Sequence, residues 1–146
     1  HAGAFADFLR ENPGLRFDLI VTNPPFFLNA LKPENRAKDT ARHTDAGFFA
    51  ELFRLSASHL NPGGTLVLIL PVDTVDAIEH LAFEAGLNAA WEIAVRSFPG
   101  SDPHREVVGL KRGQTACIRN DFIIYEAEKV YSAQYRQLLK DFFIIF

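Results

Sequence analysis

Residues 16–26 read RFDLIVTNPPF, and the chain is best interpreted outward from this stretch. Its first seven residues, Arg16 to Thr22, are mostly apolar and include β-branched side chains, which is typical of a strand. Pro24 and Pro25 cannot donate hydrogen bonds to a sheet, so the strand must end by Asn23. Because apolar residues occupy consecutive positions, the stretch predicts a strand buried on both faces, as in a parallel sheet.

The segments that follow alternate between helix and strand patterns. After Thr44, apolar residues recur every three or four positions as far as residue 60, which predicts an amphipathic helix that ends at Asn61-Pro62-Gly63-Gly64. Residues 65–70, TLVLIL, predict a second buried strand. A second helix is expected from an N-cap at Asp73 to a stop at Gly86.

The last third of the chain predicts a hairpin and two short C-terminal elements. Residues 89–98 and 105–111 are extended runs joined by a segment rich in turn residues, so they predict an antiparallel tail to the sheet. A short strand over 121–125 and a helix over 135–142 follow. Alternating strands and helices that end in a hairpin indicate an α/β fold, with parallel strands and a C-terminal antiparallel hairpin.

Composition excludes several classes of protein. The chain has 146 residues, 48% of them hydrophobic and 23% charged, which favours one folded domain over a disordered chain, collagen or a coiled coil. Its apolar runs are far shorter than the about 20 residues of a membrane span, so we expect a cytoplasmic protein. Cys117 is the single cysteine, so neither an internal disulfide nor a metal site is expected. The formal net charge of −3 restricts any nucleic-acid contact to a local patch.

The residues after Thr22 face the predicted ligand site, because open α/β sheets bind ligands beyond the carboxyl ends of their strands. Asn23 supplies a carboxamide, Pro24 a backbone carbonyl without a sheet partner, and Phe26 an aromatic ring. This set suits an amino group on a heteroaromatic ring, whose delocalised lone pair makes it a poor nucleophile. A catalyst must accept both amino hydrogens, here through Asn23 and Pro24, and hold the ring, here by stacking on Phe26.

The sequence Asn23-Pro24-Pro25-Phe26 after a hydrophobic strand resembles the NPP[FY] motif of class I, S-adenosylmethionine-dependent amino methyltransferases, which have a Rossmann-like fold. Residues 61–66, NPGGTL, resemble the helix-to-strand turn of that superfamily, where the glycines are structural. Residues 38–44 and 135–143 are most similar to the enzymes that methylate the adenine beside the anticodon of valine tRNA. The resemblance implies S-adenosylmethionine as cofactor, tRNA as partner, and residues 23–26 as catalytic.

The chain also departs from that family, because it contains no GxGxG cofactor loop. We therefore expect residues 1–146 to form a single partial methyltransferase domain, the C-terminal two thirds, which lacks the first strand and is inactive alone. The resemblance implies that Asp7 and Phe8 flank the adenine of the donor and that Asn23 also contacts the donor; a surface Asp in a loop is the other interpretation of Asp7. The strand over 18–22 would then expose an edge, through which the chain self-associates unless its N-terminal part remains bound.

Basic residues cluster in the segment that follows the motif. A solvated loop is one interpretation, since acidic residues dilute the cluster. The segment also leaves the predicted crevice where the phosphates of a flipped nucleotide would lie. The residues expected to contact RNA are Arg36, Lys38, Arg42 and His43.

Two kinds of alternative remain open. Enzymes that methylate guanine in ribosomal RNA, adenine in DNA or glutamine in proteins carry the same motif. A fragment with the methyltransferase fold that binds no donor is the non-catalytic alternative.

Overall fold

A computed structural model describes residues 5–24, 37–114 and 116–143, with only the backbone given for residues 37–45. None of the helices in these residues is long and apolar enough to cross a bilayer. In chain order the elements are α1 (Phe5–Glu11), β1 (Phe17–Thr22), α2 (Ala37–His59), β2 (Leu60–Leu70), α3 (Val72–Glu84), β3 (Leu87–Arg96), β4 (Pro103–Arg112), β5 (Ile118–Ile123), β6 (Tyr125–Ala127), β7 (Val130–Tyr131) and α4 (Ala133–Leu139).

The main sheet has the strand order β1-β2-β4-β3-β5. β1 is parallel to β2, and β5 is parallel to β3, whereas β4 lies antiparallel between β2 and β3. Four strands therefore run in one direction, and we call the side where they end the carboxyl edge. The predicted α/β fold and its hairpin are confirmed. The short strand that follows the hairpin, for which the sequence predicted no direction, is parallel to β3.

One face of the sheet carries the core. Along β2 the side chains of Leu66, Leu68 and Leu70 point to the same face, and each is at most 1% exposed. They pack with Phe53 of α2 and Ile78 of α3 in a single cluster. Since burying a side chain of this size contributes about 1.5–3 kcal/mol, this layer fixes both helices on the same side of the sheet.

The opposite face of β1 is exposed. Ile20 is buried in the core, but Leu19 is 57% and Val21 is 68% exposed. The prediction of burial on both faces is therefore wrong for the part of the chain that the structure describes. The physical reason is that α2 and α3 both pack on the face of Ile20, and apolar sequence alone does not determine what covers the other face.

Several predicted boundaries also need correction. α2 begins at Ala37, well before Thr44. The N-cap of α3 is Pro71, and Asp73 lies in the first turn, where a negative charge interacts favourably with the helix dipole. The strand predicted over 121–125 spans 118–123, and the helix predicted to reach residue 142 ends at Leu139.

Residues 61–64, predicted as the turn that ends α2, belong to the start of β2, and their glycines are structural, as predicted. Gly63 has a φ of +81°, a conformation that other residues rarely adopt. A Cβ on Gly64 would lie 2.9 Å from the Phe17 carbonyl oxygen, closer than real Cβ atoms approach. The glycines thus let the start of β2 pass close to β1 and have no phosphate-binding arrangement, since they follow a helix.

Candidate functional site

The residues that follow β1 lie at the carboxyl edge. β1 and β2 are in register from Leu19 opposite Thr65 to Thr22 opposite Leu68, so Asn23 follows directly on a paired strand. Asn23 is exposed, whereas the ring of Pro24 is fully buried. The buried ring anchors the backbone directly beside the exposed carboxamide.

The Asn23 side chain forms no hydrogen bond with the part of the chain that the structure describes. No described residue therefore competes with a ligand for its carbonyl oxygen or its amino group. Pro25, Phe26 and Arg36 lie outside the described residues. The catalytic and RNA-binding roles given to these positions stay predictions.

Asp7 and Phe8 lie on α1, which packs against α2. The Asp7 carboxylate accepts a hydrogen bond from Arg10 Nη1 at 2.8 Å, and the other arm of Arg10 pairs with Glu51. The interpretation of Asp7 as part of a surface loop is wrong, because the residue is helical. Its carboxylate pairs with Arg10, so a bound methyl donor would have to contact Asp7 beside that ion pair.

The basic cluster after the motif continues into a helix. Lys38, Arg42 and His43 belong to the first turns of α2, so the prediction that they lie in a loop is wrong. Residues 37–43 include several good helix formers but no apolar stripe, which explains why a periodicity argument missed them. Positions 38 and 42 are about one helical turn apart, so they lie on the same face of α2.

A cavity of about 340 Å³ lies elsewhere, between α3 and strands β3 to β5. Its lining combines an apolar floor with acidic side chains, and none of the predicted site residues contributes to it. Burial, followed by repulsion from Glu92, raises the pKa of the Glu106 carboxyl. Arg119 Nε donates a hydrogen bond to Glu92 at 2.7 Å and partly neutralises this rim. We do not assign the cavity to the reaction, because it shares no residue with the carboxyl end of β1.

Comparison with known proteins gives several relatives named tRNA1(Val) (adenine(37)-N6)-methyltransferase. The protein from Pedobacter heparinus is 36% identical over 143 residues, which cover 98% of this chain and 60% of the relative. The protein from Phocaeicola vulgatus is 34% identical over 128 residues, covering 88% and 55%. The chain is a homologue of these proteins. No family model matches it.

These comparisons confirm the resemblance inferred from the sequence, and they also limit it. The protein from Bacteroides fragilis is 29% identical over 140 residues, covering 96% of this chain and 59% of the relative. The chain thus spans a little more than half the length of the curated relatives that it matches. The activity of the whole protein is treated below as a proposal.

Solved structures agree on the fold. A predicted O-methyltransferase from Agrobacterium tumefaciens aligns with a TM-score of 0.62 and 17% identity, over 95% of this chain and 58% of that one. A candidate DNA modification methylase from Thermus thermophilus, complexed with S-adenosyl-L-methionine, aligns with a TM-score of 0.58 and 18% identity, over 80% and 54%. At this level of identity the likeness establishes the class I methyltransferase fold.

Proposed function

We propose that the protein carrying this chain methylates the exocyclic amino group of adenine in tRNA, next to the anticodon, with S-adenosylmethionine as methyl donor. The observation that carries the proposal is the exposed Asn23 carboxamide beside the buried Pro24, directly after β1 at the carboxyl edge. The named relatives, at up to 36% identity, supply the substrate class. A cytoplasmic location follows from such a substrate.

The chemistry asks three things of the protein. The target amine must be held in a plane, its two hydrogens must be accepted, and its nitrogen must point at the methyl group. In the proposed arrangement Asn23 Oδ1 accepts one hydrogen and the Pro24 carbonyl accepts the other, while Phe26 stacks on the base. In this proposal the role of Pro25 is to restrict the backbone of the motif, because a proline ring fixes φ near about −65°.

The reaction needs no separate general base. S-adenosylmethionine, when bound, supplies a methyl group on a positively charged sulfur. Asn23 and Pro24 would hold the amine with its nitrogen facing that methyl group, and the amine proton would pass to solvent or to an oxygen of the motif. Acceptors aimed at the two amino hydrogens stabilise the positive charge that develops on nitrogen.

The described residues fit part of a donor site. An exposed carboxamide at the end of β1 can contact the donor, and the exposed Asp7 lies on a neighbouring helix. We propose that Asp7 and Phe8 flank the donor's adenine and that Asn23 borders its methyl group. We propose further that Arg36, Lys38, Arg42 and His43 contact phosphates of the RNA, since basic side chains position a backbone without reading bases.

The decisive experiment replaces Asn23 with Ala in the full-length gene product. We expect kcat/KM for tRNA methylation to fall about 100-fold or more, because one acceptor to the amine is lost in the transition state. The readout is transfer of a labelled methyl group to tRNA, followed by nucleoside analysis. Asn120→Ala, which removes an exposed carboxamide from β5, is the matched control and should leave the rate unchanged.

Two further readouts make the result specific. The melting temperature should change little in Asn23→Ala, because the exposed side chain makes no bond to described residues, and the loss of a donor contact should show as weaker binding of S-adenosylhomocysteine. An Asn23→Ala protein that methylates tRNA at nearly the wild-type rate would overturn the proposed role. Methylated guanine or DNA as the main product would replace the substrate with one of the alternatives.

A further inference from the structure

A row of aromatic rings lies on the far side of the carboxyl edge. The rings of Tyr125 and Tyr131 stack with centroids 5.0 Å apart, and those of Tyr131 and Tyr135 stack at 4.8 Å with only 8° between their planes. Phe98 continues the row beyond Tyr125 at 5.6 Å, and Phe122 contacts Tyr135 at 6.2 Å. We call these five residues the aromatic ladder.

The sheet topology places one end of the ladder at the same edge of the sheet as the candidate site. Phe98 follows β3 in the turn to β4, and Asn23 follows β1, so both lie at the carboxyl edge. They are three strand spacings apart in the order β1-β2-β4-β3, and the register places Phe98 five residues further along the strand direction, so about 20 Å separates them. The Tyr125 N–H donates to the Ser97 carbonyl at 2.9 Å and fixes the ladder to this turn.

Phe98 is the end of the ladder that remains accessible. Its side chain is 40% exposed although it contacts Tyr125. The turn that carries it is closed by Ser101, whose N–H and hydroxyl both donate to the Phe98 carbonyl, at 3.1 and 2.9 Å. Arg96 donates in turn to the Ser101 carbonyl. The ring is therefore held in one place before any ligand arrives, which lowers the entropic cost of binding.

We propose that Phe98 is a stacking platform for an unpaired base of the RNA that enters the candidate site. The inference rests on the proposed function and adds a second contact point for the same substrate. Base stacking on an aromatic ring tolerates any base, so the platform positions the strand without selecting its sequence. An unpaired strand is more extended than the about 3.4 Å per nucleotide of a stacked one, so the separation from Asn23 corresponds to fewer than about six nucleotides from the target adenine.

Packing alone explains the ladder less well at this end. The three tyrosines join β5, β6 and α4 to one another, and their half-buried rings are accounted for by that role. Phe98 adds an exposed aromatic ring to the row at the edge where the strand must pass. The exposed Arg105 follows the same turn and supplies a positive charge, which Asp102 partly offsets.

The test compares variants of the full-length gene product in binding to an RNA hairpin that carries the anticodon arm of valine tRNA. Phe98→Ala should weaken binding about 5- to 20-fold, whereas Phe98→Tyr, which keeps the ring face, should stay within about twofold of the wild type. Phe98→Leu keeps an apolar contact to Tyr125 without a π face, so it should bind as poorly as Phe98→Ala. Phe83→Ala, which removes a 66% exposed ring from α3, is the control and should bind normally.

A second measurement identifies the stacked nucleotide. Single abasic sites are placed one to five positions from the target adenine. One of these sites should weaken binding to the wild type but have little further effect on Phe98→Ala, since the lost base and the lost ring are the same contact. Unchanged affinity in Phe98→Ala, or an abasic effect that is equal in both proteins, would overturn the proposal.

The outcomes separate this inference from the proposed function. Asn23→Ala that loses methylation, together with Phe98→Ala that binds RNA normally, would overturn only the stacking platform. A wild-type protein that binds neither the hairpin nor whole tRNA would overturn both. Melting temperatures of the Phe98 variants that match the wild type would exclude unfolding as the cause of weaker binding.

Discussion

Gly109 in β4 lies opposite Trp91 in β3, and the indole occupies the space where a side chain on Gly109 would be. A Cβ built on Gly109 would lie 2.1 Å from the Trp91 ring, far inside any van der Waals contact. Gly47 in α2 is the opposite case, because a Cβ there would meet no atom within 4 Å. Packing against Trp91 therefore requires a glycine at position 109, whereas no such contact requires one at position 47.

We predict that Gly109→Ala lowers the free energy of unfolding by about 1–3 kcal/mol, because the Trp91 ring must leave its position. Gly47→Ala should raise it by about 0.5–1 kcal/mol, since alanine loses less backbone entropy than glycine in a helix. Urea unfolding of the full-length gene product, followed by far-UV circular dichroism, measures both. Equal stability of Gly109→Ala and the wild type would mean that the indole is free to move aside.

At the level of elements, Ser132 connects α4 to the end of β5. Its hydroxyl accepts a hydrogen bond from the Tyr135 N–H at 2.9 Å as the N-cap, and donates one to the Ile123 carbonyl at 2.6 Å. The Ser132 N–H also donates to the Ile124 carbonyl at 2.9 Å, and the residue is only 5% exposed. The short helix α4 has no buried residues of its own, so it is held by this connection together with the Gln134 bonds to β5 and the Tyr135 ring.

We predict that Ser132→Ala destabilises the C-terminal elements by about 1–2 kcal/mol, because both the helix cap and the bond to β5 are lost. Hydrogen exchange should speed up in α4 and at the end of β5, with little change in β2. Ser58→Ala, which removes a hydroxyl that bonds within α2, is the control and should leave hydrogen exchange in α4 unchanged. Unchanged exchange in α4 of Ser132→Ala would show that the Gln134 bonds and the Tyr135 ring hold the helix without Ser132.

The sequence predicts some of these elements better than others. β2 and the hairpin are local patterns of apolar residues bounded by turn signals, and the structure has them within a few residues of the predicted positions. The start of α2 has no apolar stripe, and β5 consists largely of exposed residues, so neither boundary has a strong hydrophobic signal. The position of β5 is determined by its pairing with β3, which is distant in sequence.

The candidate site also has one part that the sequence predicts and one part that it does not. The place of Asn23 follows from the strand end before two prolines, a signal within a few residues of sequence. The aromatic ladder could not be predicted, because its rings come from the β3–β4 turn, β5, β6, β7 and α4 and meet only in the folded chain. Periodicity arguments find faces of single elements and miss rows that cross several.

At the scale of the whole molecule, β1 forms one edge of the main sheet. Among the described strands it pairs only with β2, and its outward Leu19 and Val21 are more than half exposed. An edge with unpaired backbone groups and apolar side chains is a template for another strand. The folded state of a single domain is favoured by only about 5–15 kcal/mol. Pairing this edge with another strand would therefore add substantially to the free energy of unfolding.

We predict that the 146-residue chain, prepared alone, self-associates through β1. Light scattering after size exclusion should give a mass above 16.4 kDa that rises with protein concentration. Val21→Lys should shift the population toward the monomer, because a lysine on an edge strand cannot be buried against a second copy without losing its hydration. Leu138→Lys, which changes a side chain of similar exposure on α4, should leave the association intact. A monodisperse 16.4 kDa monomer that melts cooperatively would contradict the prediction, because it would mean that the chain tolerates an open apolar edge.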